Sequence, residues 1–193
     1  MELQKPKFYL LIYNISKSKN IGTLIRSASA FGVNQIFVVG NDKKVLKKFF
    51  GSQGTVQKSN FLFFDSILNL EAYCKSNNIN FCGVEIGEYS KPVHQYEFKG
   101  DTLFVLGNEG QGMNEKQKKM CGNNLVYIPQ YSEKTASLNV ACAGSIVFNY
   151  FAIWAKYSEC KFINEKFNVD NKIKLNFEYV KEENNNNNNN VIN

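Results

Sequence analysis

Short, fully apolar runs alternate along this chain with segments of helical periodicity, and that alternation restricts the possible folds more than any single residue does. "FYLLIYNI" (8–15) is an apolar run of strand length, and "QIFVVG" (35–40) is β-branched and ends on glycine. "NFCGVEI" (80–86), "TLFVLG" (102–107) and the shorter "LVYIP" (125–129) are the remaining strands read this way. Between them, 20–31 and the basic stretch 43–50 read as helices. The segment 66–78 repeats Ile67, Leu70 and Tyr73 at helical spacing, and 137–157 reads as one long helix. Strands that are apolar on both faces and alternate with helices imply an α/β domain, a mostly parallel sheet with helices on both faces. Ligands of such folds bind beyond the carboxyl ends of the strands.

The chain has 193 residues, enough for one domain with a real core. That domain is expected over 1–157. Residues 158–193 end in a seven-asparagine run that has no apolar periodicity, so they read as a disordered tail. Leu138 to Ala155 is eighteen residues without a charge, the threshold length for a membrane span. Gly144, Ser145, Asn139 and Asn149 interrupt it, and no second such segment exists, so a buried helix is expected and no membrane contact. Its apolar residues Val147, Phe148, Phe151 and Trp154 exceed what one small domain readily hides, which points to a second subunit.

Charge is unevenly distributed. Residues 1–58 hold ten Lys/Arg against two acidic residues, whereas 59–155 hold seven against nine. A basic N-terminal third favours a polyanionic partner, nucleic acid ahead of membrane, and Lys43, Lys44, Lys47 and Lys48 on one short helix are the candidate phosphate contacts. Five cysteines form no CxxC pair and His94 is the one histidine, so zinc-site spacing is absent. An odd cysteine count without a secretory signal fits a reducing, intracellular location, with cytoplasm favoured.

Three stretches carry candidate chemistry. In "SKNIGTLIRSASAFGV", Ile21, Leu24, Ile25 and Ala28 form an apolar helical stripe, and Arg26 points roughly 150° away from its centre. Asn20 is a possible N-cap there. "LFVLGNEGQGM" (103–113) runs from a strand into a turn whose Gly107, Gly110 and Gly112 let backbone approach a ligand closely, with Glu109 inside it. It is neither a Walker loop nor a GxGxxG fingerprint. Asn114 and Gln117 form a capping-box pair for the next helix. In "YIPQYSEKTASLNVACAG" (127–144), Ser137 is the expected N-cap of the long helix, and Asn139 is an amide needing partners if buried.

The ordered set "NxGxxxRxAxxFG", "LGNEGQGM" and "IPQ…SLNV" resembles the SpoU (TrmH) family of RNA ribose 2′-O-methyltransferases over about residues 8–156. The resemblance implies an α/β fold with a C-terminal trefoil knot, an exception to the near-absence of knots. It implies S-adenosyl-L-methionine as cofactor, tRNA or rRNA as substrate and a homodimer with a composite site. Carried over by motif position, Asn20, Arg26, Glu109, Ser137 and Asn139 are the catalytic candidates. Leu106, Gly107, Gly112, Ile128, Pro129 and Leu138 are the candidates for holding the cofactor. A chain that keeps the fold and binds RNA without catalysis is the alternative, and the loss of Asn20, Arg26 or the third motif would mark it. All three are present.

Overall fold

The computed structural model describes residues 4–40, 58–164, 166–167 and 176–180. The basic helix expected at 43–50, with its four lysines, lies outside these residues, as does the asparagine run.

Among the described residues, eight strands form one sheet: β1 (Phe8–Ile12), β2 (Gln35–Val39), β3 (Asn60–Phe64), β4 (Asn80–Val84), β5 (Lys91–Pro92), β6 (Thr102–Leu106), β7 (Leu125–Tyr127) and β10 (Asn176–Val180). Their order is β10-β3-β2-β1-β6-β4-β7-β5, and every neighbouring pair is parallel. The two-residue strands β8 (Phe162–Ile163) and β9 (Lys166–Phe167) pair antiparallel by themselves.

Alternation along each strand sends side chains into two cores. Phe8, Leu10, Ile12, Phe61, Phe104 and Leu106 face helices α1 (Ser18–Ala30) and α4 (Val140–Trp154). Tyr9, Leu11, Phe37, Phe64 and Val105 face α2 (Ile67–Ser76), and Met113 and Cys121, the last residue of α3 (Glu115–Cys121), belong to that same core. The sheet is therefore covered on both sides, as its apolar strands require. The helix stripe read from the sequence is also present: Ile21, Leu24, Ile25 and Ala28 are buried and Arg26 is exposed.

Four expectations are corrected. Strand β3, "NFLFF", was not among the strands read from the sequence; a short apolar run has no period of its own, and only its pairing with β2 and β10 identifies it. The segment after 158 is not wholly without structure. Its residues Asn176–Val180 extend the sheet beside β3, with the Phe177 ring tilted against Phe61 and Phe63. The long helix starts at Val140 and is capped by Asn139, not Ser137, and α1 starts at Ser18, so Asn20 sits in its first turn and does not cap it. Finally, Val147, Phe148 and Phe151 are fully buried in their own subunit's core, with Trp154 packed against it. The outward face of α4 carries Tyr150 and Ile153 instead, 38% and 65% exposed.

Candidate active site

β6 and β4 end side by side, with β7 next to β4, and beyond their carboxyl ends lies an open cavity of about 290 Å3. Its floor and walls come from three loops: Val84–Ile86 after β4, Leu106–Gly112 after β6, and the segment from Tyr127 through Ile128 and Gln130 to Ser137, Leu138 and the start of α4.

The glycine turn is held closed on itself. Asn108 and Gly112 exchange backbone hydrogen bonds of 2.8 and 3.0 Å, and the Asn108 side-chain oxygen accepts from the N–H groups of Gly110 and Gln111. Gly107 is glycine by necessity, because a Cβ there would lie 2.4 Å from the Gly112 carbonyl carbon and 2.5 Å from the Met113 nitrogen. Gly112 adopts φ +69°, and a Cβ on it would meet the Glu85 carboxylate at 2.8 Å. That carboxylate accepts the Met113 N–H at 2.7 Å and lines the cavity. Glu85 escaped the sequence reading because it sits inside an apolar run; a charge at the carboxyl end of a buried strand was the available signal.

A chain of hydrogen bonds joins the three motifs. The Glu109 carboxylate accepts from the backbone N–H groups of Ser16 (3.1 Å) and Lys17 (2.9 Å) and from Asn20 Nδ2 (2.9 Å). Asn20 Oδ1 in turn accepts from Asn139 Nδ2 at 3.2 Å. Asn139 spends its own oxygen on the N–H groups of Ala141 and Cys142, capping α4. Its needed partners are thus found on both ends of the amide. Burial alone would raise the Glu109 pKa, but the donors from Asn20, Lys17 and Ser16 outweigh it and hold the group at about 2. It is a carboxylate at neutral pH that accepts three hydrogen bonds.

Behind the turn, fully buried Gln117 donates to the Leu106 carbonyl (2.8 Å) and accepts from Asn14 Nδ2 (2.9 Å). Gln117 and Asn114 form the expected capping box of α3. Asn14, at φ +65°, and Asn108, which donates to the Asn14 carbonyl and to Ser16 Oγ, were missed by the sequence reading because their partners are some ninety residues distant.

Of the catalytic candidates, Glu109 and Ser137 line the cavity, Asn20 and Asn139 stand behind Glu109, and Arg26 is elsewhere, on the exposed face of α1. Arg26 makes no hydrogen bond or ion pair within the described residues. Of the cofactor candidates, Leu106, Gly107, Gly112, Ile128 and Leu138 line the cavity and Pro129 does not. Gln130 lines it too, and its Oε1 is buried without a hydrogen-bond partner among the described residues. His94 is exposed and does not line it. Burial pushes the thiols of Cys74 and Cys121 up to about 12, with the Glu71 charge adding to the effect at Cys74, so neither supplies a thiolate.

The sequence pattern of the SpoU rRNA Methylase family matches residues 7–149, which include every residue that lines this cavity. The chain belongs to the SpoU rRNA Methylase family. It is 26% identical over 142 residues to the 23S rRNA (guanosine-2′-O-)-methyltransferase RlmB of Acinetobacter baylyi, covering 71% of this chain and 56% of that relative. Against the Escherichia coli protein of the same name it is 26% identical over 147 residues, covering 75% of this chain and 58% of the other. The chain thus spans somewhat over half the length of these curated relatives. Among solved structures, the SpoU methyltransferase AviRb from Streptomyces viridochromogenes, in complex with the cofactor AdoMet, superposes with a TM-score of 0.68 at 22% identity. That match covers 81% of this chain and 61% of AviRb. The TrmH/SpoU tRNA modifying enzyme of A. aeolicus superposes at 0.66 and 21% identity, covering 79% and 77%. These structures establish the SpoU fold for this chain. Within this SpoU domain, the described residues include no helix long and apolar enough to cross a membrane.

Proposed function

We propose that this chain is an S-adenosylmethionine-dependent RNA methyltransferase acting on a ribose 2′-hydroxyl of tRNA or rRNA, with residues 1–157 as the methyltransferase domain. The observation that carries this reading is that the second and third SpoU motifs line one cavity at the carboxyl edge of the sheet, with the first motif tied to both by the Glu109–Asn20–Asn139 hydrogen bonds. The names borne by the curated relatives and the AdoMet bound to AviRb support it.

The residues fit the cofactor. Gly107 and Gly112 let the turn close tightly against Met113 and Glu85, which shapes the cavity rim, and Leu106, Ile128 and Leu138 offer apolar wall. When bound, the cofactor supplies a methyl group already activated on a sulfonium, which leaves the protein to orient the hydroxyl and manage its proton. Glu109, with its pKa near 2 and three hydrogen bonds already accepted, is a poor base; its role is to hold Asn20, Ser16 and Lys17 against the glycine turn. Ser137 faces the cavity and can hold the nucleotide. Arg26 offers a guanidinium, a fixed charge with a planar fork of donors, which acts by stabilising a developing alkoxide or holding a phosphate.

Arg26 does not line its own subunit's cavity, which favours a homodimer in which one protomer's arginine completes its partner's site. The outward apolar residues Tyr150 and Ile153 of α4, the helix packed against α1, suit that interface. The 128–138 segment and the 107–112 turn share the walls of one cavity, the arrangement that a knotted crossing would produce. RNA is the polyanionic partner for the basic N-terminal third.

Calorimetry with S-adenosylmethionine should give about one site per chain. Mapping ribose methylation across total RNA, with and without the gene, should reveal the target nucleotide. A folded protein that binds no cofactor sinks the enzyme reading, and cofactor binding without any lost ribose methyl would leave RNA binding alone. Solution mass should be about twice the 22.0 kDa chain and fall to one chain when Ile153 is changed to Asp.

A further inference from the structure

Three polar side chains at the cavity wall are already committed within the protein. Glu85 serves the Met113 N–H, Asn108 serves its own turn, and Glu109 serves Ser16, Lys17 and Asn20. Gln130 is different. Its Oε1 is buried and has no partner among the described residues, although the side chain lines the cavity. The other such atom, Asn69 Nδ2, belongs to α2 and does not line the cavity.

A buried acceptor left without a donor forfeits its hydration, and at a cavity wall it marks a place where a ligand can supply the missing bond. The same cavity is lined by Val84, Ile86, Ile128 and Leu138, apolar surfaces suited to a flat ring. A carboxamide oxygen set in such a wall matches a neutral N–H at a ring edge. A charged ammonium would draw on a carboxylate instead. In DNA recognition, Asn and Gln amides pair with the N6/N7 edge of adenine, the amide oxygen accepting from the 6-amino group.

Building on the cofactor reading above, we infer that Gln130 recognises the adenine end of the cofactor, its Oε1 accepting a hydrogen bond from the 6-amino group. Gln130 is therefore a specificity residue of the cofactor site and stands apart from the methyl-transfer chemistry. A site built around such a bond rejects the analogue that lacks the donor, because the oxygen is then left unpaired.

The test is a calorimetric comparison of three ligands on the full chain: S-adenosylhomocysteine, its analogue with hydrogen in place of the 6-amino group, and 5′-methylthioadenosine. The wild type should bind S-adenosylhomocysteine at least about tenfold more tightly than the 6-hydrogen analogue. Gln130→Leu should bind those two equally and lose affinity for methylthioadenosine by the same factor, since that ligand keeps the adenine and lacks the amino-acid end. Gln130→Glu retains the acceptor and should retain the preference, so the inference stays testable if the leucine variant does not fold. Discrimination that persists in Gln130→Leu, or is absent in the wild type, overturns the assignment. So does an effect on S-adenosylhomocysteine with none on methylthioadenosine, which would place Gln130 at the ammonium. A folded wild type that binds no S-adenosylhomocysteine overturns the cofactor reading and this inference together.

Discussion

Asn139 performs two separable tasks, and replacing it tests how the site is built. Its Oδ1 caps α4 by accepting from Ala141 at 2.9 Å and Cys142 at 3.4 Å, while its Nδ2 donates to the buried Asn20 Oδ1 at 3.2 Å. Alanine removes both. Losing an N-cap costs about 1 kcal/mol, and leaving the Asn20 oxygen without its donor costs about 1 kcal/mol more. For a chain of this size, about 2 kcal/mol lowers the thermal midpoint by roughly 4–8 °C. Serine caps as well as asparagine but is too short to reach Asn20, so Asn139→Ser should lose only about half of that. Methyl transfer should respond differently. Both variants release Asn20 from its place beside Glu109, so single-turnover rates should fall together, on the order of ten- to a hundredfold. The assay pairs a thermal melt with transfer of labelled methyl to RNA. Equal destabilisation by serine and alanine would refute the division of tasks, and full activity in both would refute the claim that this amide orders the site.

Gly107→Ala forces a Cβ to within 2.4 Å of the Gly112 backbone and should abolish measurable cofactor binding by calorimetry, whereas Gly110→Ala meets only Asn108 Oδ1 at 3.7 Å and should bind nearly as the wild type does. The Glu109 pKa lies near 2, below the ordinary carboxylate value of 4.5, so its stabilisation is fully present above pH 4.5 and is lost as pH falls from 4.5 toward 2. Discounted for solvent at this partly exposed rim, it is worth about 1 kcal/mol, and melts between pH 6 and about pH 3 should fall less steeply for Glu109→Gln. Arg26→Ala should lower turnover by about 10²–10³ while leaving the thermal midpoint and cofactor affinity nearly unchanged, and lysine should rescue poorly.

Local order was legible wherever contiguous residues encode it. The alternation of apolar runs and helical stripes announced a parallel sheet covered on both faces, and the stripe of α1 put Arg26 in solvent by arithmetic alone. The Asn114–Gln117 capping box and the glycine turn after β6 were equally readable, since each is completed within a few residues. Motif order then pointed to the family.

Choices between near-equal local options needed the fold. Ser137 and Asn139 are both good caps, and Asn139 takes the role where its other end meets Asn20, 119 residues earlier in the chain. Val147, Phe148 and Phe151 are no more apolar than Ile153, yet the first three are buried because α4 lies against the sheet with that face inward. Strand β3 is identified by its neighbours, one of them from the far end of the chain. Glu109 acquires its low pKa from donors about ninety residues away, and Gln130 is left with an unmet oxygen only because the surrounding loops bury it. Periodicity, caps and turns are set by short-range sterics and hydrogen bonds, so the sequence alone determines them. Which distant donors and acceptors meet depends on strand order and helix docking, and there the tertiary structure decided.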